Sequence, residues 1–117
     1  MKEYLLLFRS HNGAYETSTT PEELQASMEA WRGWMADIAK EGKLVAGQPL
    51  ATDGRHMPAA NKITDAPFAE GKEVVNGYLL IKAGGYDEAC KIASACPIFG
   101  DSGGSVEVRE IMVMDGM

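Results

Sequence analysis

Five consecutive large apolar residues, Tyr4-Leu5-Leu6-Leu7-Phe8, lie close to the N-terminus of the chain. The run is far short of the roughly 20 apolar residues that a membrane-spanning helix needs. As a strand it places Tyr4, Leu6 and Phe8 on one face and Leu5 and Leu7 on the other, because successive side chains alternate. A strand that is apolar on both sides needs cover on both sides. The segment VVNGYLLIKA, residues 74–83, repeats the problem. Val75, Leu79 and Ile81 fall on one of its faces, and Val74, Tyr78 and Leu80 make up most of the other. An uncovered apolar face of several hundred Å² is rare on a monomer. The two strands therefore predict a homodimer through sheet-to-sheet packing, the competing reading being a few tolerated exposed apolar side chains.

The remaining elements follow from local signals. A helix starts at Thr20, where a Thr20-x-x-Glu23 capping pattern, Pro21 at the first helical position and acidic Glu22 and Glu23 agree. Leu24, Met28, Trp31, Met35 and Ile38 recur at helical spacing, and Gly42 supplies a left-handed stop. Trp31 is read as core, and Trp34, at the stripe's edge, as peripheral core or as a dimer or pocket residue. KLVAGQPLATDG reads as a second strand, with Pro49 marking an edge or a bulge and Asp53-Gly54 a turn, and a hairpin returns through RHMPAANKIT. After the 74–83 strand, a short helix runs from about Asp87 to Cys96, ended by Pro97, and SVEVREIMVM closes as the last strand. The order strand, helix, strand hairpin, strand, helix, strand is an α+β pattern of the ferredoxin-like (βαββαβ) kind, with an antiparallel sheet in one domain over residues 1–117.

With 17 acidic against 11 basic residues the net charge is −6, and no basic stripe offsets it, so nucleic acid is excluded as a partner. The N-terminal apolar run is too short for a signal-peptide core, which predicts a cytoplasmic protein without a membrane partner. Cys90 and Cys96 sit six residues apart on one helix, point in different directions and cannot bond to each other. Both read as small core residues. No P-loop, dinucleotide fingerprint, serine elbow or metal-binding histidine cluster is present, and no cofactor or metal is expected.

The densest group of ionisable residues is TDAPFAEGKE, residues 64–73. Asp65 before Ala-Pro suits a turn fixed by its own carboxylate. Alternatively, Asp65 is a catalytic base, with Glu70, Lys72 and Glu73 binding an anionic intermediate, if the loop folds over a pocket. His11 and His56 are the only histidines; His11, after the first strand, is a candidate ligand contact, and His56 reads as an exposed hairpin residue. Arg9 and Arg109 lie on the first and last strands. As neighbours they can bind a ligand carboxylate together, or pair with a local acid such as Glu107. Glu110 falls on the apolar face of Val106, Val108, Met112 and Met114, so either the strand bulges there or the carboxylate is partnered or lines a cavity.

DAPFAEGKE, together with EGKLVAGQPLATDG, GYLLIKA, DEACKIASACPIF and GGSVEVREI, resembles the YCII-related proteins, and within them the DGPF (DGPFAETKE) subgroup. The resemblance implies a ferredoxin-like dimeric α/β barrel in which two sheets pack face to face and leave a cleft between the subunits. It fixes no reaction. In the broader family a His on the first helix and an Asp after the second are proposed as a catalytic pair; the matching positions here are Trp31 and Cys96. A chemistry that depends on that pair is therefore closed to this chain. Two further departures are Ala66 in place of the motif glycine and Glu110 where the family has proline. The expectation is a small-molecule enzyme using a cleft carboxylate for proton transfer, or alternatively a non-catalytic ligand-binding or regulatory dimer, with a purely structural dimer behind both.

Overall fold

The computed structural model describes residues 1–11, 20–51, 53–66, 73–101 and 103–114, with His11, Ala66, Glu73 and Asp101 described by their backbone. The order is β1 (Lys2–His11), α1 (Pro21–Lys40), β2 (Leu44–Pro49), β3 (Gly54–Ala59), β4 (Lys62–Ala66), β5 (Glu73–Ala83), α2 (Tyr86–Ser94), α3 (Ile98–Asp101) and β6 (Ser105–Glu110). Four strands form one antiparallel sheet in the order β2-β5-β1-β6. β3 and β4 form a separate two-stranded hairpin. This is an α+β arrangement compatible with the ferredoxin-like fold. The two strands that the sequence makes apolar on both faces, β1 and β5, are the two central ones.

α1 begins where its caps predict. The Thr20 side chain accepts from the Glu23 backbone N–H at 3.1 Å, Pro21 opens the helix, and Gly42 at φ +73° follows its last turn. The apolar stripe lands differently. Leu24 and Met28 are exposed, and of the helix's two tryptophans the deeper is Trp34, at 6% exposure, with Trp31 only half-buried. The indole N–H of Trp34 donates to the Ile92 carbonyl at 3.0 Å, so Trp34 pins α1 onto α2. Phe8, Trp31 and Trp34 meet edge to face at 5.0–6.0 Å between ring centres. With Tyr4, Leu6, Ile38, Leu79, Ile81, Ala89, Ala93, Cys96 and Ile98 they fill the single layer between sheet and helices.

A bulge corrects one face assignment. Phe8 faces Gly77 but Arg9 faces Val75, so Asn76 is an extra residue in β5. Beyond it Val74 shares the helix-covered face with Ser10, and Val75 moves to the open face with Arg9, the reverse of a strict alternation. The Asn76 amide and the buried Ser10 hydroxyl are hydrogen-bonded there. Pro49 ends β2 at the sheet's edge, where its missing N–H costs no ladder bond. The second helix ends at Ser94 and a short α3 follows Pro97. Cys96 is buried and unbridged, whereas Cys90 is exposed rather than core.

α1 and α2 pack on one face of the sheet. The other carries Leu5, Leu7, Tyr78 and Leu80, all half-buried, with Glu3, Arg9, Lys82, Glu107 and Arg109 around them. The molecule is a slab of 43 × 38 × 18 Å. Its radius of gyration is 15.8 Å, against roughly 13 Å for a compact domain of this length. Its accessible surface is 8067 Å², where a compact monomer of this mass exposes about 6,200 Å².

Candidate functional site

The open sheet face is the first place where charged groups converge. Register places Arg9, Glu107 and Arg109 on that face, on the adjacent strands β1 and β6. Glu107 Oε1 accepts from Arg9 Nε at 3.2 Å and lies 3.1 Å from the same guanidinium's second nitrogen. Glu107 Oε2 accepts from Arg109 at 3.1 Å. The two arginines therefore do meet on one face, as neighbouring strands require, and they meet on the protein's own glutamate. Arg109 above all, and then Arg9, hold the Glu107 carboxyl below its ordinary range, against the opposing effect of burial. Glu107 is thus held ionised between two guanidiniums, and the cluster keeps one surplus positive charge in a chain of net charge −6.

A second cluster surrounds Glu110, on the helix-covered side at the far end of β6. No bulge turns it outward. It pairs in register with Tyr4, whose hydroxyl lies 3.4 Å from Glu110 Oε1, while Lys2 lies 3.5 Å from Oε2. The Glu110 backbone N–H donates to the Tyr86 hydroxyl at 2.9 Å, and the Tyr4 and Tyr86 rings meet at 5.0 Å. Burial first, and then the Glu110 carboxylate, push the Tyr4 phenol above its ordinary value. Beside this cluster runs an open groove of about 800 Å³ lined by Lys2, Tyr86, Glu110, Ile111, Met112 and Val113. Glu110 stands out in the sequence, but its companions Tyr4 and Tyr86 do not. Cross-strand register alone carries the first, and only the fold carries the second. The strand ends at Glu110, so Met112 and Met114 are exposed rather than part of an apolar strand face.

The motif around Asp65 lies elsewhere. Asp65 is on β4 of the hairpin, its side chain 92% exposed, 3.5 Å from Arg55 across the hairpin. Among the described residues its partner is Arg55, and it lies apart from both clusters. Glu70 and Lys72 lie outside the described residues, and of Glu73 and His11 only the backbone is described, the two pairing across β1 and β5. His56 is in β3, opposite Thr64. Among the described residues no three His, Cys, Asp or Glu side chains are grouped to hold a metal, and no helix is long and apolar enough to cross a membrane.

A model of the YCII-related domain matches residues 3–115, nearly the whole chain. The chain belongs to the YCII-related family. No curated protein matches it. In this YCII-related chain Trp31 and Cys96, which the resemblance sets against a His and Asp pair, are packing positions. Trp31 stands edge to face against Phe8 at 5.0 Å and Trp34 at 5.8 Å, and Cys96 is buried among the helices. Neither supplies a general acid or base of the kind that pair implies.

Proposed function

We propose that this protein, a YCII-related chain of the DGPF type, acts as a homodimer whose open sheet faces meet as a dimeric α/β barrel and hold a small molecule in the cleft between the subunits. The observation that carries this reading is the open face itself. Leu5, Leu7, Tyr78 and Leu80 form an apolar centre on the side of the sheet that no helix among the described residues covers. The open face spans four adjacent strands, the two central ones 10 and 11 residues long, and a stable interface buries roughly 800 Å² per partner. A hydrophobic centre with the charged rim of Arg9, Glu107, Arg109 and Lys82 has the anatomy of such an interface.

Bringing two such faces together removes water from the Arg9, Glu107 and Arg109 cluster, where the guanidinium donors left over by Glu107 favour an acidic group on the ligand. In the catalytic version of the proposal a carboxylate exchanges a proton with that ligand, Asp65 being the candidate by motif, whereas Glu110 lies on the helix-covered side of the sheet, away from that cleft. The non-catalytic version, a ligand-binding or regulatory dimer, is favoured by one specific observation: the carboxylate between the two cleft-face arginines, Glu107, is held ionised by both. Native mass spectrometry of gently purified protein tests the proposal. A dimer carrying a retained small molecule supports it, and a bare monomer contradicts it. With a ligand in hand, Asp65→Asn separates the versions, since an enzyme loses turnover with its fold intact and a binder loses affinity alone.

A further inference from the structure

Glu107 and Glu110 lie on the same strand but on opposite faces of the sheet, and their carboxylates are satisfied to different degrees. Glu107 accepts from both of its guanidiniums at 3.1–3.2 Å. The contacts of Glu110 are longer, 3.4 Å to the Tyr4 hydroxyl and 3.5 Å to the Lys2 ammonium. Charge-assisted bonds to a carboxylate ordinarily measure about 2.5–2.9 Å, and an ionised carboxylate offers about four acceptor sites. Tyr4 is buried and fixes one oxygen from within, whereas Lys2 is an exposed partner of the kind that holds loosely. Glu110 therefore keeps acceptor capacity, and its side chain is 33% exposed where it lines the groove.

A donor stands beside this acceptor. The Tyr86 hydroxyl accepts from the Glu110 backbone N–H at 2.9 Å, and its own proton has no acceptor among the described residues. Tyr86 is exposed and lines the same groove. So do Ile111, Met112 and Val113, the last two 78% and 88% exposed. The Ile111 N–H donates to the Glu3 carbonyl at 2.8 Å, which ties the start of this apolar stretch to the sheet. The side chains around the groove carry two carboxylates, Glu3 and Glu110, against the one ammonium of Lys2. Their charge favours a cation.

We infer that this groove binds a small apolar primary amine with a hydroxyl or carbonyl oxygen next to the nitrogen. The ammonium takes the place of Lys2 on Glu110, the neighbouring oxygen accepts from Tyr86, and the alkyl body lies along Ile111, Met112 and Val113 and withdraws them from water. A primary amine suits Glu110 because the carboxylate needs N–H donors, and an anion is disfavoured because it meets Glu110 and Glu3. The groove volume, about 800 Å³, falls within the roughly 300–1,000 Å³ of small-molecule sites. The site is on the helix-covered side of the sheet, apart from the cleft proposed above, and it does not depend on a dimer.

Leucinol is the probe, titrated at neutral pH into the full chain and followed by backbone amide NMR shifts. Saturable shifts are expected at Lys2 and from Glu110 to Val113, and not at Leu5, Leu7 or Leu80 on the open face. Isohexanol, which lacks the amine, and isocaproate, an anion of similar shape, bind at least about tenfold more weakly. Glu110→Gln weakens leucinol at least about tenfold. Lys2→Ala tightens it about two- to fivefold, because a competing ammonium is removed. Tyr86→Phe narrows the advantage of leucinol over isohexylamine, which has no neighbouring oxygen. Should Glu110→Gln fail to fold, the exposed Lys2→Ala change decides. Isocaproate binding as tightly as leucinol, a Lys2→Ala variant that binds leucinol more weakly, shifts confined to the open face, or no saturable shift at tens of millimolar leucinol overturns the inference.

Discussion

Replacing Trp34 by Phe should destabilise the fold by about 2–3 kcal/mol, and replacing Trp31 by Phe by about 1 kcal/mol or less. The difference follows from what each indole does. Trp34 is 6% exposed and donates to the Ile92 carbonyl at 3.0 Å, joining α1 to α2. Losing that bond costs about 1 kcal/mol net. The cost stays near that figure because the carbonyl also accepts, at 3.4 Å, from the Ala95 N–H. Removing the larger ring's extra apolar area withdraws a further ~1 kcal/mol, and the gap left between two helices and the sheet adds to it. Trp31 is half-buried and keeps its edge-to-face neighbours Phe8 and Trp34 when shortened to Phe. Urea unfolding followed by circular dichroism, at one fixed protomer concentration because association shifts apparent stability, measures both variants. Equal costs, or a Trp34→Phe cost below about 0.5 kcal/mol, would refute the claim that Trp34 rather than Trp31 is the central anchor.

Glu107→Gln should lower stability at neutral pH and flatten the acid limb of the stability profile. The Glu107 carboxyl is held below its ordinary value by Arg109 and Arg9, so its contribution is present above the unfolded carboxylate pKa and is lost as pH falls through the folded one. Urea midpoints across the acid range read this directly, and an acid limb that overlays the wild type would contradict it. Gly104→Ala should destabilise by more than about 2 kcal/mol, because a Cβ there meets the Arg9 carbonyl oxygen at 2.4 Å and the Ile98 side chain at 2.8 Å. A thermal midpoint within a degree or two of wild type would show that β6 shifts to accept the methyl group.

What the sequence made legible was what local chemistry and strand period decide. Thr20, Pro21 and Gly42 bounded α1 because caps act over three or four residues. The double-sided apolar pattern of β1 and β5 marked the centre of the sheet, and Pro49 marked its edge. Events that depend on tertiary contacts stayed hidden. Whether Trp31 or Trp34 lies deepest is set by the reach of one indole to Ile92, 58 residues away. The exchange of Val74 and Val75 between faces comes from a bulge at Asn76 that the residue pattern does not announce. At the site, strand adjacency alone brings Arg9 and Arg109 to one face, where both meet Glu107. Asp65, chosen by motif, sits on a hairpin whose separation from the sheet no local signal reveals. The groove around Glu110 depends on Tyr86, which enters from α2.

Sedimentation velocity of the wild-type protein and of Leu7→Arg at micromolar concentration tests the central claim most directly. Leu7 lies in the middle of the open face, between Tyr78 on β5 and Glu107 on β6. The account predicts a dimer for the wild type and a folded monomer for Leu7→Arg, since a buried unpaired guanidinium costs several kcal/mol at an interface. A wild type that sediments as a monomer, or a Leu7→Arg variant that remains as dimeric as the wild type, would contradict it.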